Sequence, residues 1–148
     1  MRNITCIKLL TFLAVAFFIS SGCTSVNNAR HSIDQKEAEA ITKACFDYVE
    51  GFFEGSVERV SNGCHQELQK RRIRDNALYT TTREKLLEGV AKNKKKPDNL
   101  EITVDIYDVY GTIASAVIYS FYVDYVQLAK IEGRWQVVNV LWDYKSIK

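Results

Sequence analysis

The sequence predicts an α+β domain in which a cone-like curved antiparallel sheet carries three helices on its concave side. Three observations predict it. The last third, from Leu100 to Tyr144, alternates apolar and polar residues with a period of two. The half before it repeats apolar residues at helical spacing. The connections in the last third are a few residues long, which forces neighbouring strands to pair antiparallel.

In Leu100 to Val109, Ile102, Val104 and Ile106 fall on one face and Glu101, Thr103 and Asp105 on the other, as in a half-buried strand. Gly111 breaks the run. Ile113 to Ser120 is β-branched and aromatic, and Val123 to Ile131 follows it. Glu132-Gly133 is a tight hairpin turn of the kind that needs positive φ. Trp135 to Tyr144 is the last strand, and it is apolar in both parities. Trp135, Val137 and Leu141 share one, and Val138, Val140, Trp142 and Tyr144 share the other. A strand with one wet face does not read this way. Helices are expected to cover one face and a second copy of the chain the other, giving a homodimer through the sheet.

Ahead of the meander, Asp34 is placed to cap a first helix, with Glu37 three residues on in a capping box. Ile41, Cys45, Tyr48 and Phe52 then recur at spacings of four, three and four, forming one apolar stripe. Gly55 suits its C-terminal stop. Ser56 caps a second, shorter helix with Val57 and Val60, ended by Gly63. Lys70 to Arg74 and Ala77 to Thr80 form a hairpin around Asp75-Asn76. Thr81 and Glu84 open a third helix containing Leu86, Leu87 and Val90. Lys92 and Lys94 to Lys96 sit at its C-terminal end, where the helix dipole favours cations.

The first 22 residues read as a signal peptide: Arg2 and Lys8, then the apolar run Leu9 to Ile19, too short to span a bilayer. Ser20-Ser21-Gly22-Cys23 resembles a bacterial lipobox, in which Cys23 is lipidated, although Ser20 replaces the usual Leu. Ordinary cleavage after Gly22 is the alternative. Both place the mature protein outside the cytoplasm, in the cell envelope or periplasm. Membrane contact is then expected only through the anchor at Cys23. Residues 23–32 read as a flexible tether and residues 33–148 as one domain. Removing residues 1–22 leaves 18 basic residues against 18 acidic ones, so no net charge argues for nucleic acid.

The stretches DYVEGFFEGSVERV, CHQELQKRRI and VDYVQLAKIEGRWQVVNVLWDYK, in that order of elements, resemble the nuclear transport factor 2-like superfamily. Within it they resemble the family labelled "putative lumazine-binding", over about residues 36 to 145. The resemblance implies an apolar pocket between the first helix and the concave sheet face, and dimerisation through the sheet.

Tyr48, Phe52, His65, Tyr79, Tyr119 and Trp142 are the candidate pocket residues. His65 is the domain's one histidine, since His31 lies in the tether. It is a candidate general base or, more plainly, a polar residue at the turn Gln66 to Leu68. Ketosteroid isomerase, in the same superfamily, carries a tyrosine on its first helix as an oxyanion donor. Tyr48 is therefore a candidate for that role, with Asp124 or Asp143 as the acid. A core tyrosine is the simpler reading. One histidine with no nearby Cys or His makes no zinc site, and no glycine-rich phosphate loop occurs. No metal or cofactor is implied. Lys70 to Arg72 read as a wet strand edge. Cys45 and Cys64 flank the Gly55 turn and either form a disulfide or pack as thiols. The functional expectation is an envelope domain that binds a small hydrophobic ligand or serves as a dimeric scaffold. The alternative is an isomerase, dehydratase or cyclase.

Overall fold

The computed structural model describes residues 33–93 and 97–145. The signal peptide, Cys23, the tether and its His31, and Lys94 to Lys96 lie outside the described residues. The elements run α1 (Gln35–Glu54), α2 (Val57–Gly63), β1 (Cys64–Arg74), β2 (Ala77–Thr82), α3 (Arg83–Val90), β3 (Thr103–Tyr110), β4 (Ile113–Tyr119), β5 (Tyr122–Ile131) and β6 (Arg134–Tyr144). The six strands form one sheet in the order β2-β1-β6-β5-β4-β3.

Local chemistry sets the boundaries. The Asp34 carboxylate accepts hydrogen bonds from the backbone N–H groups of Lys36 and Glu37, at 2.9 and 3.3 Å. The Glu37 side chain does not complete the capping box. It accepts instead from Lys130 Nζ and Trp135 Nε1, both at 2.6 Å, and so pins the start of α1 to β5 and β6. Gly55 stops α1 in the left-handed region at φ 72°. Asp75 and Asn76 (φ 53° and 58°) and Glu132 and Gly133 (φ 51° and 78°) make two hairpin turns with positive φ at both central residues. The cap of α3 is Thr82, one residue later than the spacing of Thr81 and Glu84 predicts.

Two features of the sheet differ from the sequence expectation. The sheet is mixed, because β1 pairs with β6 in parallel, through Lys70↔Val140 and Arg71↔Leu141. The connection from β1 to β6 passes through β2, α3 and the whole β3–β5 meander, so the short-loop argument for antiparallel pairing does not reach it. Second, β6 is not apolar on two faces along its whole length. A register shift opposite Gln127/Leu128 places Leu128 against Val137 and Gln127 against Asn139, so β6 bulges at Val138. The bulge restores parity. Trp135 and Val137, then Val140 and Trp142, all face the helices. Leu141 remains on the outer face, 52% exposed.

The core lies between the helices and the inner face of the sheet. Ile41, Cys45, Tyr48 and Val49 of α1 pack with Ala116 and Ile118 of β4, Val126 and Leu128 of β5, and Val137 and Val140 of β6. Each fully buried Ile, Val or Leu side chain among them is worth about 1.5–3 kcal/mol. The end of α2 presses directly on α1, because a Cβ on Gly63 would lie 2.7 Å from both Ala44 O and Tyr48 N. That approach starts β1 beside Tyr48.

Candidate functional site

Three polar side chains from three elements meet inside this core. Tyr48 projects from the buried stripe of α1, and its hydroxyl donates to Asp124 Oδ1 at 3.0 Å. Lys70 of β1 reaches over β6, and its ammonium donates to Tyr48 Oη at 2.5 Å and to the same Asp124 oxygen at 3.0 Å. The Asp124 side chain is 2% exposed and that of Lys70 12%. Strand alternation explains the arrangement. Lys70 and Asp124 both fall at inward positions, and Asp124 lies opposite Trp142 across the β5–β6 ladder.

The apolar surroundings hold the charge in place. Lys70 Nζ lies 4.6 Å from the centre of the Trp142 ring, 5.2 Å from that of Tyr48 and 5.9 Å from that of Phe52. Burial, followed by the negative charge of Asp124, raises the Tyr48 phenol well above its ordinary pKa. Cys45 and Cys64 line the same interior as unbridged thiols. Burial pushes both up to about 12.

Of the candidate pocket residues, Tyr48, Phe52 and Trp142 converge on Lys70. The others do not join them. His65 lies near the start of β1, where Gln66 to Leu68 are strand and not the expected turn, and its Nδ1 accepts from Glu67 N at 3.2 Å. Tyr79 is 47% exposed on β2 beneath Arg74, whose guanidinium carbon is 4.5 Å from the ring centre. Tyr119 has the opposite parity to Ile118 and lies on the outer face. There, a hydrogen bond with Tyr107 chiefly raises its pKa. Asp143 is exposed, and its carboxylate accepts from the backbone N–H of Tyr144.

Lys70 is the residue that sequence reasoning missed, because it sits within the run KRRIR, which reads as a solvated edge. The signal was its parity: Lys70, Arg72 and Arg74 alternate with Gln69, Arg71 and Ile73. Once β1 is paired on both sides, one of the two sets must face inward.

Chemically, the triad is a closed hydrogen-bonded ion pair. An oxyanion hole of the tyrosine–carboxyl kind needs the acid to donate a proton. Asp124 Oδ1 here accepts from two donors. Among the described residues no group of three His, Cys, Asp or Glu side chains converges to hold a metal ion, and no helix is long and apolar enough to cross a membrane.

The outer face is more open. A groove of about 850 Å³ runs over it between Arg71, Leu78, Tyr107, Tyr125, Asn139 and Leu141. A second hollow of about 350 Å³, lined mostly by apolar groups, continues it past Ser115 and Gln127 to Tyr110 and Ile113.

A family profile described as "Putative lumazine-binding" matches residues 36–143. None of the curated proteins compared matches the chain. Among solved structures, the fold is similar to a nuclear transport factor 2-like protein of unknown function from Shewanella baltica. That likeness has a TM-score of 0.70 at 21% identity, over 79% of this chain and all (100%) of that one. A second such protein, from Methylobacillus flagellatus, matches with TM-score 0.67 at 19% identity over 79% and 98%. A third, from Silicibacter pomeroyi, matches with TM-score 0.67 at 14% identity over 74% and 97%. The match along most of the domain shows that the chain belongs to the "Putative lumazine-binding" family, and the helix-roofed sheet and these neighbours show that it has the nuclear transport factor 2-like fold.

Proposed function

We propose that this protein is an exported, envelope-tethered scaffold domain that works as a homodimer through the outer face of its sheet. One observation carries the reading. Across five strands Arg71, Leu141, Tyr125, Val117 and Asp105 share the outward parity and stand in register as a single row, in which Val117 is already covered by its neighbours. Its centre is apolar, with Tyr125 58% and Leu141 52% exposed. Its ends carry opposite charges. A two-fold axis through Tyr125, parallel to the strands, would lay Arg71 of one copy against Asp105 of the other and bury both apolar centres. Beside this row, Arg71 Nη1 donates to Asn139 Oδ1 at 3.2 Å and Asn139 Nδ2 donates to Gln127 Oε1 at 3.1 Å. These bonds hold a polar rim in fixed geometry.

The test is sedimentation equilibrium of the mature chain at micromolar concentration. Wild type is expected to be a dimer and Tyr125→Glu a folded monomer. Arg71→Glu should weaken the dimer and Arg71→Glu with Asp105→Arg should restore it. A monomeric wild type ends the reading. Export and anchoring at Cys23 are tested by mass spectrometry of the protein from a bacterial envelope fraction. A diacylglyceryl group on Cys23 supports the tether, and an unmodified Cys23 removes it.

A catalytic role of the isomerase, dehydratase or cyclase type finds less support. Lys70 fills the space that a substrate carbonyl would need in front of Tyr48. A second reading, small-ligand binding, is favoured by the family's description and by the aromatic residues Tyr122, Trp142 and Tyr144 at one end of the inner face.

A further inference from the structure

Arg72 stands two residues beyond Lys70 on the same face of β1, paired with Tyr79 across the β1–β2 ladder. Its guanidinium carbon lies 4.9 Å from the centre of the Trp142 ring and 5.5 Å from that of Tyr144. Those rings belong to a larger aromatic wall. Tyr122 meets Trp142 edge-on at 5.1 Å, stacks on Phe53 at 5.9 Å with planes 8° apart, and touches Tyr144 at 5.5 Å. Tyr144 is 59% and Phe121 40% exposed, so the wall opens to solvent at its far side.

The neighbouring cations are engaged. Lys70 holds Asp124, Arg71 holds Asn139, and Arg74 lies 3.7 Å from Asp75. Among the described residues the Arg72 side chain makes no hydrogen bond and no ion pair. Its guanidinium lies over rings, and its N–H donors are uncommitted. A guanidinium held beside aromatic rings with its donors uncommitted can grip a carboxylate with two parallel bonds. Glu101 lines the hollow beside Phe121, where Lys145 shares the lining and offsets its charge. Asp124 is neutralised by Lys70, Asp143 alternates to the outer face, and Asp75 is 92% exposed at the turn beside Arg74. The charge of Arg72 also reaches the Tyr122 phenol, whose pKa burial raises and Arg72 lowers.

We propose that this shelf binds a small aromatic carboxylate, with Arg72 clasping the carboxylate and the exposed rings of Tyr144 and Phe121 receiving the flat apolar body. The inference rests on the small-ligand reading above and adds to it the charge the ligand must carry. A bare anion gains little from one arginine on an open surface. An aromatic body adds buried area and ring contact.

The experiment titrates the full chain with 2-naphthoate and, separately, with the uncharged 2-naphthalenemethanol, following the two tryptophan indole N–H signals by NMR. Saturable 2-naphthoate binding with Kd on the order of 0.1–1 mM is expected, moving the Trp142 signal and leaving that of Trp135, held by Glu37, in place. The alcohol should bind at least tenfold more weakly. Arg72→Gln should lose tenfold or more for the acid, Arg72→Lys less, and Arg134→Gln nothing. If acid and alcohol bind alike, the shelf takes aromatic ligands but the carboxylate inference falls. If neither saturates, or Trp135 moves with Trp142, the inference and the small-ligand reading fall together. The acid–alcohol comparison on wild type decides the matter even where Arg72→Gln fails to fold.

Discussion

Lys70 Nζ lies 3.0 Å from Asp124 Oδ1, with the whole of β6 between their strands, and both contact the Tyr48 hydroxyl. Sequence separation and strand order keep these residues apart, and alternation brings them together on the inner face. Between α1 and the inner sheet face, where the resemblance implied an apolar pocket, the contact places a buried ion pair beside the Trp142 ring.

Breaking one side of that pair should be costly. Lys70→Met leaves Asp124 in the core with Tyr48 as its remaining donor, and Asp124→Leu leaves an ammonium without its carboxylate. Each is expected to destabilise the fold by about 3–5 kcal/mol. The double variant, which removes both charges, should lose much less than the sum. Urea denaturation of the four proteins in a mutant cycle measures this, and additive losses would count against a coupled pair.

Stability should fall on the alkaline side. Cys45 and Cys64 are raised from 9.0 to about 12 in the fold, and Tyr48 is raised well above 10.0. For each, the unfolded chain releases its proton first. The stability each contributes is therefore complete below its unfolded pKa and is lost as pH rises toward the folded one. Between about pH 9 and 12 each thiol should cost up to about 1.4 kcal/mol per pH unit. Thermal melts from pH 7 to 11 check the direction. Cys45→Ala with Cys64→Ala should flatten the early part of the decline.

The thiols should also resist labelling. Neither Cys45 nor Cys64 is expected to react with iodoacetamide in the native protein. Both should react once the chain is unfolded without reductant, because they are unbridged and buried. Peptide mapping that finds them joined would show a disulfide instead.

Two glycines should respond oppositely to alanine. Gly63→Ala drives a methyl to 2.7 Å from two backbone atoms of α1 and should cost about 1–3 kcal/mol. Gly89 lies inside α3, and a methyl added there would meet nothing within 4 Å, so Gly89→Ala should stabilise by about 0.5–1 kcal/mol. Chemical denaturation of both variants distinguishes them.

Much of the architecture was legible in the chain, because helix stripes, caps and turns are local chemistry. Ile41, Cys45 and Tyr48 report a buried helix face by spacing alone, and Glu132-Gly133 reports a hairpin by its need for positive φ. Which strand becomes β6's second neighbour is not local. The parallel β1–β6 pairing joins residues some seventy positions apart, and no turn residue announces it. Without that pairing, Lys70 and Arg72 read as solvent-facing, and Tyr119 cannot be told from an inward residue.

The sequence by itself determined the elements, their order and the identity of one buried helix face, since these follow from periods of 3.6 and 2 and from the conformational demands of a few turn residues. Tertiary structure alone decided that β6 bulges at Val138, that a lysine enters the core to pair with Asp124, and that an apolar row with opposite charges at its ends crosses the outer sheet. The reason is physical. One residue's slip in a strand exchanges inside for outside, and only the packing of distant elements selects the register.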